Sequence, residues 1–276
     1  MNELHKGIII RSFGKKWKNI LNKQEILNAV LQIIDLKWDI DIEDYPKTVL
    51  DFVCCTGDIQ LLNYFSLRGV NIDPLPSDND NWRHPLFYAI IFGHKNIIKF
   101  YNDKGFNFNK SIYCKNRTTA TPLMIAVTIT DELPEMLDFV LQYKQDINKK
   151  NSDGNTALII ACMEDSLYAV KKLLLRKANV NIVNNDGKIA LYFVKSDTIF
   201  SLLLMNTQNI NHKDNMGNTV LICFINEFKV EYVTKLLYAG ADPNISNKNF
   251  ETPLSKCIEL QIGSIYELLI DYGATL

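Results

Sequence analysis

A leucine that returns at nearly fixed intervals limits this chain more than any other feature. It stands at Leu50, Leu86, Leu123, Leu158, Leu191, Leu221 and Leu254. Two residues before each lies a helix-start position: Thr48, His84, Thr121, Thr156, Ile189, Thr219 or Thr252. Successive starts are therefore 36, 37, 35, 33, 30 and 33 residues apart. Residues 151–181 show the unit most plainly. A turn at Asp153-Gly154-Asn155 leads into Thr156, and an apolar run follows from Leu158 to Ala161. After the polar break Glu164-Asp165-Ser166 comes a second stripe, Ala169, Val170, Leu173 and Leu174, spaced as one buried helix face. Two short helices and a turn cannot bury both faces alone, so each unit needs neighbours. Recurrence at this period is the mark of a solenoid in which each unit touches the next.

The second stripe recurs as well. Examples are Leu61-Leu62-Phe65, Ile97-Ile98-Tyr101, Met136-Leu137-Val140-Leu141, Tyr232-Val233-Leu236-Leu237 and Ile265-Tyr266-Leu269-Ile270, and units close on Asn109, Asn148, Asn181, Asn211 and Asn244. Particular residues then carry a family likeness. Thr252-Pro253-Leu254, Thr121-Pro122-Leu123-Met124-Ile125-Ala126, Phe92-Gly93-His94 and the run from Leu236 to Asn244, LLYAGADPN, resemble the ankyrin repeat. The resemblance covers residues 44–276. It implies an all-α fold, an ankyrin-repeat solenoid of stacked helix-turn-helix units with short β-turn or hairpin fingers. The expected repeats are 44–73, 78–109, 117–148, 151–181, 184–211, 214–244 and 247–276. Residues 1–43, with apolar stripes around Trp17-Ile20-Leu21 and Ile26–Ile34, read as a helical N-terminal cap, a degenerate repeat that covers the end of the stack.

Composition removes several function classes. The 276 residues carry a net charge of −1 and a pI near 6.4, so no global field favours nucleic acid. No run of 18 apolar residues provides a transmembrane span. Gly7-Ile8-Ile9-Ile10 is too short, and too closely followed by Arg11, Lys15, Lys16 and Lys18, for a secretory signal. The cysteines, Cys54, Cys55, Cys114, Cys162, Cys223 and Cys257, show neither CxxC pairing nor a histidine at zinc spacing. They read as small core residues of a protein kept in a reducing compartment, the cytoplasm. No metal or cofactor site is expected, and no catalytic triad, paired-carboxylate or phosphate-loop signature is present in context. The chain is read as no enzyme.

Irregular copies stand out against the repeat. Residues 74–83 hold two prolines and an Asp/Asn cluster ending in Trp82-Arg83. His84 and His94 fall in places that the repeat explains, and Pro134 lies where the first turn of a helix tolerates it. The copy at Ile189 is shortened at Lys195-Ser196-Asp197. It also puts Thr207 where other copies have Gly69, Gly105, Gly240 and Gly273. A left-handed backbone there would cost Thr207 about 1–2 kcal/mol, which would make this copy a soft joint.

The resemblance also implies where contacts fall: on the turns before each first helix and on the ends of those helices, together lining a concave face. The candidate partner-binding residues are Tyr45, Lys47, Trp82, Arg83, Ile91, Phe92, Arg117, Ile129, Met163, Glu164, Met216 and Phe250. The N-terminal members are the aromatic, arginine and aliphatic types that anchor interfaces. The expected function is a non-catalytic protein-protein interaction module, monomeric alone, that binds a folded protein partner. Its Lys, Asn and Ile usage is shared by ankyrin proteins of intracellular bacteria and large DNA viruses, which act on host proteins. A toxin-neutralising or enzyme-inhibiting protein, and an intracellular scaffold or regulator, are two other classes that the same face would serve.

Overall fold

The computed structural model describes residues 45–73, 84–113 and 119–275. The expected cap over 1–43, the loop holding Trp82 and Arg83, Cys114 and Arg117 lie outside the described residues. The chain forms two compact units, Met1–Gln145 and Asp146–Leu276.

The described residues of the first unit form three helix pairs. These are α1 (Tyr45–Thr56) with α2 (Ile59–Leu67), α3 (Pro85–Ile91) with α4 (Lys95–Asp103), and α5 (Pro122–Thr128) with α6 (Pro134–Val140). The first helices α1, α3 and α5 pack side by side, and α2 packs on α4. A two-residue antiparallel ladder, β1 (Ile112–Tyr113) with β2 (Thr119–Ala120), precedes α5 and pairs Ile112 with Ala120. The second unit pairs α7 (Ala157–Met163) with α8 (Leu167–Leu175) and a 3-10 helix (Ala190–Phe193) with α9 (Asp197–Leu204). It continues with α10 (Val220–Asn226) and α11 (Val230–Tyr238), then α12 (Pro253–Glu259) and α13 (Gly263–Asp271). Its first helices stack in chain order, α7 on the 3-10 helix, that helix on α10, and α10 on α12. Each unit is thus a run of all-α solenoid. The leucine that sets the period is buried in every copy, so each copy contributes about 1.5–3 kcal/mol from that side chain alone.

The threonines at the helix starts earn their recurrence by capping. The hydroxyls of Thr121, Thr156, Thr219 and Thr252 accept from the backbone N–H of Met124, Ile159, Ile222 and Ser255. Thr252 and Ser255 do so reciprocally, since Ser255 Oγ also accepts from Thr252 N–H. His84 caps α3 by another route: its Nδ1 accepts from Leu86 N–H at 3.1 Å. Ile189 has no such group, and its copy forms only a four-residue 3-10 helix without a side-chain cap. A missing cap costs about 1 kcal/mol, and a buried Ile189 in the slot keeps apolar contact instead. Copy one differs too. Its helix begins at Tyr45, so Tyr45 and Lys47 stand in a first helical turn and not on a preceding turn.

The expected strain at Thr207 is absent. Gly69, Gly105, Gly240 and Gly273 are left-handed, with φ of +82°, +82°, +89° and +83°, but Thr207 is not among the residues with positive φ. Its hydroxyl donates to Leu203 O at 2.9 Å, and the following N–H, of Gln208, turns to Asn181 Oδ1 at 3.1 Å. The chain leaves the helix here without putting a β-branched residue into the left-handed region. In copy four the same slot is filled by Lys177, which does take φ +61°.

Asparagines stitch the second unit along its length. The side-chain oxygens of Asn148, Asn211 and Asn244 accept from the backbone N–H of Asn179, Asp242 and Thr275 in the next copy, at 2.8–2.9 Å. Among the described residues, no helix is long and apolar enough to cross a membrane.

Candidate interaction surface

Four fingers of the second unit share one construction. Each begins with an Asx residue, Asn151, Asn184, Asp214 or Asn247. Its Oδ1 accepts from the N–H two and four residues on, at 2.8–3.0 Å. The turn closes at the fourth residue, where Gly154, Gly187 and Gly217 have φ of +75°, +77° and +81°. Each of the last three fingers leans on the one before it. Asn185, Asn215 and Lys248 donate their backbone N–H to Asp153 O, Asp186 O and Met216 O, at 2.8–3.0 Å. Asn184 Nδ2 adds a bond to Asn155 Oδ1, and Asn247 Nδ2 one to Asn218 Oδ1.

The glycines are required twice, by backbone and by space. A Cβ on Gly154, Gly187 or Gly217 would lie 2.4–2.8 Å from an atom of the next finger. Phe250 occupies the fourth position of the last finger. It keeps the left-handed backbone, with φ +62°, and is 89% exposed. Met216, on the tip of the finger before, is 58% exposed. Both were among the expected contact residues, and both stand open on adjacent fingers joined by the Lys248–Met216 bond.

The remaining expected residues sit at the C-terminal ends of first helices. Ile91 closes α3 and Phe92 follows as its cap, Ile129 caps α5, Met163 closes α7 and Glu164 caps it. The apolar members Ile91, Phe92, Ile129 and Met163 are half-buried, while Glu164 is exposed. In the first unit α3 packs on α5, which places Ile91, Phe92 and Ile129 on adjacent helix ends. The Met163 carbonyl accepts from Lys195 Nζ across one copy.

The titratable groups serve structure. His84 Nε2 lies 2.9 Å from Asp73 Oδ1, which Lys110 also contacts at 2.6 Å. With Nδ1 accepting from the α3 backbone, Nε2 carries the proton and donates to Asp73. Burial holds the His84 pKa below its usual range, while the bond from His84 and then that from Lys110 hold Asp73 down. His94 Nε2 meets Cys55 O at 2.8 Å, and its ring fills the space over Gly57. Burial pushes the thiols of Cys162 and Cys223 up to about 12, with Asp165 and Asp214 adding to it, and raises those of Cys54 and Cys55 as well. Such thiols are poor nucleophiles at neutral pH. Among the described residues, no group of His, Cys, Asp or Glu is placed to hold a metal ion.

Residues 50–151 and 123–194 match the family model for ankyrin repeats, in three copies. The chain belongs to the ankyrin-repeat family. Ankyrin repeats are protein-protein interaction modules, and the finger construction is where this ankyrin-repeat chain displays side chains that its own core does not use. An ankyrin repeat protein of Acanthamoeba polyphaga mimivirus is 28% identical over 207 residues, 71% of this chain and 26% of the relative. One of fowlpox virus is 33% identical over 147 residues, 49% of this chain and 41% of the relative. One of Escherichia coli is 30% identical over 138 residues, 47% of this chain and 69% of the relative. The chain therefore spans well under half the length of the two viral relatives.

Sequence reasoning about this ankyrin-repeat protein found the exposed finger residues but not the bonds that order the fingers. The signal was present: Asx at 151, 184, 214 and 247 keeps the spacing of the helix starts, and Phe250 falls where the count from Gly217 demands glycine.

Proposed function

We propose that this ankyrin-repeat protein is a non-catalytic capture module that binds a folded protein partner. The binding face is the finger side of its repeats and the adjoining ends of the first helices. In the second unit Met216 and Phe250 are its anchors, and in the first unit Ile91, Phe92 and Ile129 with Tyr45, Lys47, Trp82, Arg83 and Arg117 are its contact residues. Seven repeats, 44–73 through 247–276, follow an N-terminal cap over 1–43, and the protein acts as a monomer in the cytoplasm. Its partner is a host protein, a reading in keeping with the mimivirus and fowlpox relatives.

The observation that carries this is Phe250. A large apolar residue in the left-handed region costs about 1–2 kcal/mol, and 89% exposure returns almost no burial for it. Strain held without a packing reward points to use, and an exposed aromatic flanked by Met216 is an interface anchor. The test is affinity capture from amoebal and avian cell lysates with the whole protein and its M216S/F250S variant. Proteins held by the parent and lost by the variant, at an unchanged melting temperature, support the reading. Capture that is the same for both would overturn it.

A further inference from the structure

Three successive copies of the second unit put a large apolar residue in one exposed slot. Leu175, Met205 and Tyr238 each stand two residues before the position held by Lys177, Thr207 and Gly240, at the end of a second helix. They are 78%, 85% and 77% exposed, although each has a following copy stacked beside it. Asp271 fills the slot in the copy after Tyr238 and is exposed as well. Bonds just past the slot hold the copies in register. Gln208 N–H donates to Asn181 Oδ1 at 3.1 Å, Asp242 N–H to Asn211 Oδ1 at 2.9 Å and Thr275 N–H to Asn244 Oδ1 at 2.8 Å. The Tyr238 ring meets that of Tyr272 edge-on at 5.6 Å. The three side chains therefore form a row from one helix end to the next.

Single exposed apolar residues are ordinary, but a row that recurs at one slot is a patch. Its apolar surface is on the order of a few hundred Å², large enough to mark an interaction site. It falls well short of the roughly 800 Å² that each partner of a stable dimer buries. Charge narrows the occupant further. One turn before the slot, on the same helix faces, stand Lys171, Ser201, Thr234 and Glu267. The flank is thus basic at copy four, where Arg176 and Lys177 are exposed beside Lys171, and uncharged at Ser201 and Thr234. It ends acidic, at Glu267 and Asp271. Lys235, near Tyr238, is already paired with Asp197 and Glu231. Spacing sets the shape. Packed helices lie about 8–10 Å apart, and seven residues of α-helix advance about 10.5 Å.

We infer that the Leu175–Met205–Tyr238 row is a docking surface, apart from Met216 and Phe250, for a charge-graded amphipathic helix of a partner protein. Apolar residues seven apart on that helix cover the three side chains. Acidic residues at one end meet Lys171 and Lys177, and lysine or arginine at the other meets Glu267 and Asp271. A helix favours acids in its first turn and bases in its last, so its N-terminus lies over copy four.

The probe is a fluorescein-labelled helical peptide of about 18 residues, three turns and more beyond the two seven-residue steps of the row. It carries leucines seven apart, glutamates towards its N-terminus and lysines towards its C-terminus. Its twin has the same composition with the glutamates and lysines interleaved. Both are titrated by anisotropy against the whole 276-residue protein. The graded peptide is expected to bind roughly ten-fold or more tightly than its twin. L175S/M205S/Y238S should abolish that binding at an unchanged melting temperature, and K171E/K177E should remove the preference between the peptides. M216S/F250S should leave both affinities as they are, which keeps this result independent of the finger face. Equal binding of the two peptides, or graded binding that survives L175S/M205S/Y238S, would overturn the inference. Sedimentation with phosphatidylserine vesicles gives a second arm: vesicle binding that the triple variant loses would make the row a membrane contact and overturn it equally.

Discussion

The stacked fingers can be weighed by adding one methyl group at two glycines that differ only in what faces them. Gly217 and Gly240 are both left-handed, at φ +81° and +89°. Alanine at either costs about 1–2 kcal/mol in backbone strain, offset by about 0.4–1 kcal/mol from the stiffer unfolded chain. Gly240→Ala should therefore cost about 0.5–1 kcal/mol, because nothing lies within 4 Å of its Cβ. At Gly217 the new Cβ would sit 2.8 Å from the Lys248 backbone nitrogen, the donor to Met216 O. Overpacking of this kind adds about 1–3 kcal/mol, bringing Gly217→Ala to about 1.5–4 kcal/mol. Urea unfolding followed by circular dichroism gives both values. Amide exchange at Lys248 should quicken in Gly217→Ala and stay as in the parent in Gly240→Ala. Equal losses for the two would show that the fingers lean on each other without energetic consequence, and the ladder would explain nothing.

Phe250→Gly runs the same arithmetic backwards. It should raise stability by about 0.5–1 kcal/mol while weakening any capture through the fingers, and a loss of stability in thermal melts would contradict the strain. Acid should act at His84 and Asp73. His84 is held below its usual value, so its contribution is full above about pH 6.5 and declines as pH falls below that. Asp73, also held down, adds a second loss below about pH 4. Melting temperatures between pH 8 and 3 should fall in both ranges, and His84→Thr, which keeps a capping oxygen, should flatten the first; an unchanged first limb would place the titration elsewhere.

Much of this was open to reading from residue order. A period set by one leucine predicted which side chain each copy buries, because a two-helix unit has a single place to hide it. Exposed Met216 and Phe250 were legible for the same reason, as positions that the period assigns to turns. The Thr207 strain failed because spacing fixes a slot but not its backbone: the Thr207 hydroxyl bonds Leu203 O and the next N–H turns to Asn181, with no left-handed residue at 207. Tyr45 and Lys47 missed their turn since α1 starts three residues early. The asparagine bonds were hidden because each links residues about 30 apart, a relation that composition does not display.

Asp214 shows how differently the junctions of the second unit are secured. Asparagine at 184 and 247 both accepts and gives, so each of those fingers has a side-chain tie to its predecessor as well as a backbone one. A carboxylate has no hydrogen to give. At that junction other groups take over: Tyr192 Oη sits 2.6 Å from His212 O and 2.8 Å from Asn218 O, and His212 Nε2 lies 2.8 Å from Gly187 O. One phenolic proton serves two carbonyls there. The Asn215 amide also donates to Asn185 O at 2.7 Å, so this junction is held by one amide together with a tyrosine and a histidine, and a change at Tyr192 or His212 removes a tie that the neighbouring junctions make with asparagine.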